Sequence, residues 1–333
     1  MPFINHIPVQ RAMVSCKLGK QAFGKKRAIA EDQDYLKSPE TPLVVSLVGK
    51  ALGLEQTYGG RRAIGAIMPI GLGISADDGI VFRKKSAESG MFDVTHISTF
   101  NIHVGNSSYT CAEPGQRLSA GEPVCVLNGR KKCFLPSECQ SPDILKVTYN
   151  GHISSLQFTV KYTNPLVVGD KMGDSAGMKG VVCQLRDDNE LPRTKDGTIP
   201  DIFYNSLSFP KRMTFGLIME MALGNYVVHK QQVQYGTAFQ KKWSAQTIFE
   251  TMRAEGVPFK QEFFSPQGHP LGETFCGPFF LMRLNHLANK KGNVCYMPRM
   301  ELGAPLPVHG LSQGGGLRMG EMEISSMMSS NSD

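Results

Sequence analysis

The chain has 333 residues, of which 41% are apolar and 20% charged, and Lys+Arg 36 against Asp+Glu 29 gives a formal net charge of +7. That is chain enough for a sizeable core and about two domains, and it excludes global disorder. Gly 35 and Pro 20 argue for many turns and short strands and against long helical bundles.

A charge of +7 suits an anionic partner, but only the placement of the basic residues identifies one. The eight cysteines (Cys16, Cys111, Cys125, Cys133, Cys139, Cys183, Cys276, Cys295) contain no CxxC pair, and the eight histidines are scattered. Reduced, mostly buried thiols are therefore expected, with no zinc site or disulfide framework. The longest apolar run, Ile64 to Ile74, is cut by Gly65, Pro69, Gly71 and Gly73, short of the roughly 18 uninterrupted residues of a membrane span. The first residues lack the apolar core of a secretion signal, so a soluble intracellular protein is expected.

The opening segment, to about Leu54, mixes short apolar runs such as Leu43 to Val48 with basic clusters at Lys25, Lys26, Arg27 and then Arg61, Arg62. Ala63 to Phe82 reads as buried strands punctuated by glycine. From about Asn101 to Val168, stretches such as Leu145 to Tyr149 and Ser155 to Tyr162 alternate with turn signals at Glu113-Pro-Gly, Asn128-Gly and Asn150-Gly. Asn-Gly between alternating apolar residues signals a hairpin, which predicts an all-β excursion. Helical spacing of Phe215, Ile218, Met219, Ala222 and Leu223 predicts a helix capped at Gly224. A second helix is predicted from the N-cap Ser244, with Ile248, Thr251 and Met252 on one face and a stop at Gly256. The serine-rich end, Ser325 to Asp333, is expected to fray.

The string Gly169-Asp-Lys-Met-Gly-Asp-Ser-Ala-Gly-Met-Lys-Gly-Val-Val places Lys171 and Lys179 on a glycine-rich loop that phosphate suits. From spacing alone, a hairpin with two solvated lysines is the commoner explanation, because the string is not GxxxxGK[ST]. Asp77 and Asp78 form either a pair for Mg²⁺ or a solvated turn, and the turn is the commoner case. Arg212, after Pro210 and near a predicted helix start, is either an anion ligand or a surface charge. Arg11, alone, reads as one solvated charge on a helix.

Taken together, these segments resemble a known family. GDKMGDSAGMKGVV resembles GDKMxGRHGxKGV of the second-largest (β) subunit of multisubunit DNA-directed RNA polymerases, with both lysines in place. MPFINHIPVQRAMVSCKLGKQA is similar to IPFxxHxxxxRxLMxxxMxxQA, and ISADDGIVF to NxEDSIL. DGTIPDIFYNSLSFPKRMTFGLIME is similar to DGTPVDIxLNPLGxPSRMNxGQxLE, and GGGLRMGEME to GGxRFGEME. Five blocks in the family's order span nearly the whole chain. The departures are Ser175-Ala176 in place of Arg-His and Asp-Asp in place of Glu-Asp.

The resemblance implies a β-rich α+β fold, with a double-psi β-barrel assembled from non-adjacent segments, an inserted β-rich flap and a few helices. It divides the chain into 1–100 (active-site-proximal segment and first part of the barrel), 101–168 (flap), 169–310 (second part of the barrel and hybrid-binding region) and 311–333 (start of the clamp and switch segment, and tail). Lys171 and Lys179 would hold RNA phosphates near the 3′ end, Arg212 and Arg11 the β/γ-phosphates of the incoming NTP, and Gln21 and Arg318 nucleic acid. Asp78, with Asp77, would orient a second Mg²⁺ through water, the main Mg²⁺ site being on the largest subunit. No Asp-x-Asp-x-Asp string occurs, so activity is expected only in a complex. The implied partners are an N-terminal β fragment, largest-subunit (β′) fragments, DNA template, RNA product, NTPs and a promoter-specificity subunit at the flap. A split subunit of the jumbo-bacteriophage type is expected, in the host bacterial cytoplasm, in a phage-made nucleus-like compartment or in the virion. A non-catalytic nucleic-acid-binding or virion structural protein on the same barrel is the alternative.

Overall fold

A computed structural model describes residues 1–27, 32–54, 57, 59–70, 78–105, 107–136, 139, 141–150, 154–291, 297–310, 313–316 and 318–330. The chain divides into two compact units, Met1–Ala288 and Asn289–Asp333. The first half of the larger unit contains α1 (Val9–Gln21), β1 (Gln33–Leu36), β2 (Val44–Val45), α2 (Leu47–Ala51), β3 (Arg61–Ile67), β4 (Gly79–Arg83), α3 (Lys84–Glu88), β5 (Val94–His103), β6 (Tyr109–Cys111), β7 (Cys125–Leu127), β8 (Lys131–Cys133), β9 (Asp143–Asn150) and β10 (Ser155–Asn164). There follow β11 (Lys171–Asp174), β12 (Lys179–Arg186), β13 (Arg193–Thr194), β14 (Ile202–Tyr204), α4 (Ser208–Arg212), α5 (Phe215–Lys230), β15 (Gln234–Tyr235), α6 (Ala245–Ala254), β16 (Gln261–Phe264), β17 (Pro270–Thr274) and β18 (Cys276–Arg283). The smaller unit carries α7 (Glu321–Ser329).

Six strands close a barrel in the order β11-β12-β4-β14-β3-β18. The fold is thus β-rich α+β, and the barrel draws on segments before and after the excursion. Both faces of its central strands are covered, so the runs are continuously apolar instead of alternating. In β4, Ile80 and Phe82 enter one core and Val81 another, and all three are fully buried. Ile202, Phe203 and Tyr204 of β14 divide in the same way. Pairing is parallel between β4 and β12 and between β14 and β3, and antiparallel elsewhere in the barrel.

The β-rich excursion consists of the sheets β1-β5-β10-β9 and β6-β7-β8, and its first long strand starts at Val94. In β10, Leu156, Phe158, Val160 and Tyr162 alternate into a separate core while Gln157 faces solvent. Asn128 and Gly129, both at positive φ, turn β7 into β8. Asn150 ends β9, which pairs antiparallel with β10, while the glycine after it lies outside the described residues.

Ser244 caps α6 by accepting from the Thr247 amide (3.2 Å), Ile248 and Met252 are buried, and Gly256 follows at φ +68. Two expectations need correction. Helix α5 runs through Gly224 to Lys230, because Gly224 is there for a close approach to β18: a Cβ would lie 2.5 Å from the Pro278 carbonyl oxygen. The serine-rich end is helical through Ser329, with Glu321 and Glu323 in the first turn opposing the helix dipole and Ser325 Oγ donating to the Glu321 carbonyl (2.8 Å). Among the described residues, no helix is long and apolar enough to cross a membrane.

Gly224→Ala is expected to destabilise the chain by about 1–3 kcal/mol by overpacking, although alanine gains about 1 kcal/mol at an open helical position. Urea denaturation checks this, and an unchanged or raised midpoint contradicts the close approach.

Candidate phosphate-binding site

The glycine-rich string folds as the hairpin β11–β12, with Gly173 opposite Lys179 and Lys171 opposite Val181. Residues two apart share a face of a strand, so this register puts Lys171 and Lys179 on the same face. Met172 and Val182, on the other face, are fully buried. The lysines thus begin the two strands instead of lying on the loop between them. Burial of the underside turns both cations outward.

The turn of the hairpin packs beneath α1. Gly177 has φ +80, and a Cβ there would lie 2.2 Å from the Arg11 carbonyl oxygen, so only glycine lets the helix approach. Ser15 Oγ donates to the Ser175 carbonyl (2.8 Å). Arg11, half-buried, is thereby carried to the edge of the lysine hairpin. Gln21, at the end of α1, is exposed and accepts from the Asn285 amide through its carbonyl (2.8 Å).

Asp78 enters the site through the parallel β4–β12 pairing: its carbonyl accepts from the Val181 amide (3.0 Å), one residue beyond Gly180. Its carboxylate pairs with the Arg212 guanidinium, whose side chain is only 9% exposed against 42% for Asp78. Arg212 lies just before the start of α5 at Phe215, as expected, and also ends the short α4, where a cation suits the helix dipole. Its Nη1 is buried without a hydrogen-bond partner among the described residues, an unmet donor of the kind a phosphate oxygen satisfies.

Asp77 lies outside the described residues, Arg212 holds one oxygen of Asp78, and no group of three or more candidate metal ligands occurs among the described residues. The described residues therefore do not fit a direct Mg²⁺ site. Arg318 is exposed in the smaller unit.

Sequence reasoning missed the residues beneath the hairpin. Asp170 pairs with Arg283 (2.5 Å), both essentially fully buried. Asp174 Oδ1 accepts from the Ala176 (2.9 Å) and Met178 (3.0 Å) amides and shapes the turn. Glu220, on α5, accepts from Ser175 Oγ and from the Phe280 amide (3.0 Å). Acids inside the motif strings were visible, but their burial was not. Burial pushes Asp174 up to about 8 against the pull of the Met178 amide, and Glu220 up to about 7 against the Ser175 hydroxyl.

Both acids bind a proton more tightly folded than unfolded, where carboxyls titrate near about 4. The stability they contribute is present below pH about 4 and is lost as pH rises through their folded values. Melting temperature should therefore fall between pH 5 and 9, and Asp174→Asn should flatten the upper part of that fall. Parallel pH profiles for both proteins would contradict the burial of an ionisable acid at the turn.

The family described as RNA polymerase Rpb2, domain 6, matches residues 142–311. The chain is 25% identical to DNA-directed RNA polymerase I subunit RPA2 of Drosophila melanogaster, over 99% of this chain and 32% of that protein. It is 24% identical to the Homo sapiens subunit of the same name, over 98% of this chain and 33% of that protein. The value is also 24% for DNA-directed RNA polymerase III subunit RPC2 of Schizosaccharomyces pombe, over 97% and 33%. The chain thus spans about a third of the length of these relatives. With the family matching just over half of its residues, the chain belongs to the RNA polymerase Rpb2 domain 6 family and is homologous to the second-largest subunits of multisubunit DNA-directed RNA polymerases.

Proposed function

We propose that this chain supplies the phosphate-gripping part of the active centre of a multisubunit DNA-dependent RNA polymerase. One observation supports the reading: the hairpin register turns Lys171 and Lys179 to one face of a strand pair whose turn touches the helix carrying Arg11 and whose Val181 amide bonds the carbonyl of Asp78, the partner of Arg212. Cations from three parts of the chain are thereby linked to one strand pair.

Nucleotide addition is an in-line phosphoryl transfer in which fixed cations stabilise charge on the reacting oxygens. Lys171 and Lys179 hold RNA backbone phosphates and so fix the attacking 3′ hydroxyl. Arg212 and Arg11 hold the β/γ-phosphates of the NTP, and Asp78 aims the Arg212 fork, which lysine cannot reproduce. Gln21 and Arg318 contact nucleic acid. Mg²⁺, held mainly by the largest subunit, supplies charge neutralisation when bound.

The finer parts of the reading follow the resemblance. The barrel is of the double-psi kind, residues 101–168 form the flap, and 311–333 begin the clamp and switch segment. The chain acts as the C-terminal part of a split β subunit of the jumbo-phage type. It works with an N-terminal β fragment, β′ fragments, DNA, RNA, NTPs and a promoter-specificity subunit at the flap. The intact mass of the subunit in the native complex tests the split.

In the assembled polymerase, Lys171→Ala and Arg212→Ala should each lower elongation by on the order of a hundredfold or more, as lost transition-state donors do, while assembly persists. Arg212→Lys should recover little. Single-turnover nucleotide addition measures this, and a wild-type rate in either alanine variant would overturn that residue's role. Failure of the correctly assembled wild type to make RNA would overturn the enzyme reading and leave a nucleic-acid-gripping or structural protein.

A further inference from the structure

Beside the lysine hairpin, between α1 and β18, lies a cavity of about 340 Å³, lined by apolar side chains including Phe23, Val44 and Phe280 and, among the described residues, by one carboxylic acid, Glu220. Glu220 is 3% exposed and projects from α5. One of its oxygens accepts from the Phe280 amide of β18 (3.0 Å), and the other from Ser175 Oγ in the turn of the hairpin. The carbonyl of that same serine accepts from Ser15 of α1 (2.8 Å), the helix that carries Arg11. Four chain segments thus meet at one acid and one serine. Glu220 is buried beneath α1, so it acts through the turn and not by touching substrate.

We propose that Glu220 is a positioning residue whose carboxylate tethers the Ser175 turn to α5 and β18 and so fixes the hairpin bearing Lys171 and Lys179. The proposal rests on the polymerase reading above. Ionised, Glu220 can only accept, which suits both of its donors. Protonated, it gains a donor of its own and weakens the Ser175 contact. The titratable groups around it are Asp174 in the same turn, the Tyr204 phenol, and the Met1 amino group and Cys16 thiol that also line the cavity. Desolvation is the first cause of its raised titration, and the Ser175 hydroxyl opposes it, as a bond to the charged form must. The tether therefore tightens as pH rises through about 7. Folding stability moves the opposite way over the same interval, because the charge is buried.

The test compares wild type with Glu220→Gln, which keeps the shape and an acceptor for Phe280 but cannot ionise. Both are studied in the assembled polymerase, and taking the ratio of rates removes the pH dependence of the chemistry itself. At saturating NTP, the wild-type to variant ratio of nucleotide-addition rates should be near one at pH 6 and rise to on the order of tenfold at pH 8, since small misplacement of a reacting group is costly. KM for NTP should change less than kcat, because Glu220 bonds the lysine hairpin directly and neither Arg11 nor Arg212 is bonded to it. Ser175→Ala should lower the rate at both pH values and abolish the change in ratio. A ratio independent of pH, or a rise in KM with kcat unchanged, would overturn the proposal.

Amide hydrogen exchange over 171–182 in the same complexes, corrected for intrinsic rates, reads the tether directly. Wild type should be better protected than Glu220→Gln at pH 8 and equal to it at pH 6. Equal protection at both values overturns the tether. If the wild-type complex made no RNA, the polymerase reading would fall while exchange still decided whether Glu220 holds the turn.

Discussion

Among the described residues Arg283 is the largest fully buried side chain, and both terminal nitrogens of its guanidinium are held by surrounding segments. Its Nη1 donates to the Phe92 (2.7 Å) and Asn164 (2.9 Å) carbonyls, and its Nη2 to the Pro165 carbonyl (2.9 Å) and to Asp170 (2.5 Å). Phe92 and Asn164 flank the β-rich excursion, Asp170 begins the lysine hairpin, and Arg283 itself ends β18. Asp170 also accepts from the Ala288 amide (2.9 Å), at the last residue of the larger unit. Removing a guanidinium and a carboxylate from water costs several kcal/mol per ion, so such a pair contributes less to net stability than to the choice of one arrangement. Here the arrangement chosen joins the root of the excursion, the barrel and the hairpin.

That constraint explains how residues far apart in the chain reach one place. With its base held by Asp170 and its underside filled by Met172 and Val182, the hairpin turns both lysines to its other face, where Leu18 of α1 packs over Gly173. The turn is held separately, by Asp174 within itself, by Ser15 from α1 and by Glu220 from α5. Parallel pairing with β4 then brings Asp78 alongside, and Asp78 fixes Arg212. Buried polar groups thus orient exposed ones.

Local chemistry made part of this legible in the sequence. Ser244 and Gly256 bounded α6 because caps are local, and the alternation of Leu156, Phe158, Val160 and Tyr162 marked β10 because a strand has period two. The lysines stood out through the glycines around them. What the sequence hid was long-range. Gly224 looked like a helix end because its true reason, the Pro278 carbonyl, is more than fifty residues away. Glu220 and Arg283 looked like ordinary charges because nothing nearby in sequence announces that they are buried. The place of Arg212 at the end of α4 depended on a short helix that the Pro210 signal concealed.

The central claim is that the outward face of the hairpin holds the growing end of an RNA. A photo-crosslinker placed at position 179 in the assembled, actively elongating complex tests it most directly. Crosslinks to the 3′-terminal nucleotides of the RNA, moving forward with each nucleotide added, are the result predicted. Crosslinks confined to DNA or to upstream RNA, or none in a complex that is making RNA, would contradict the account.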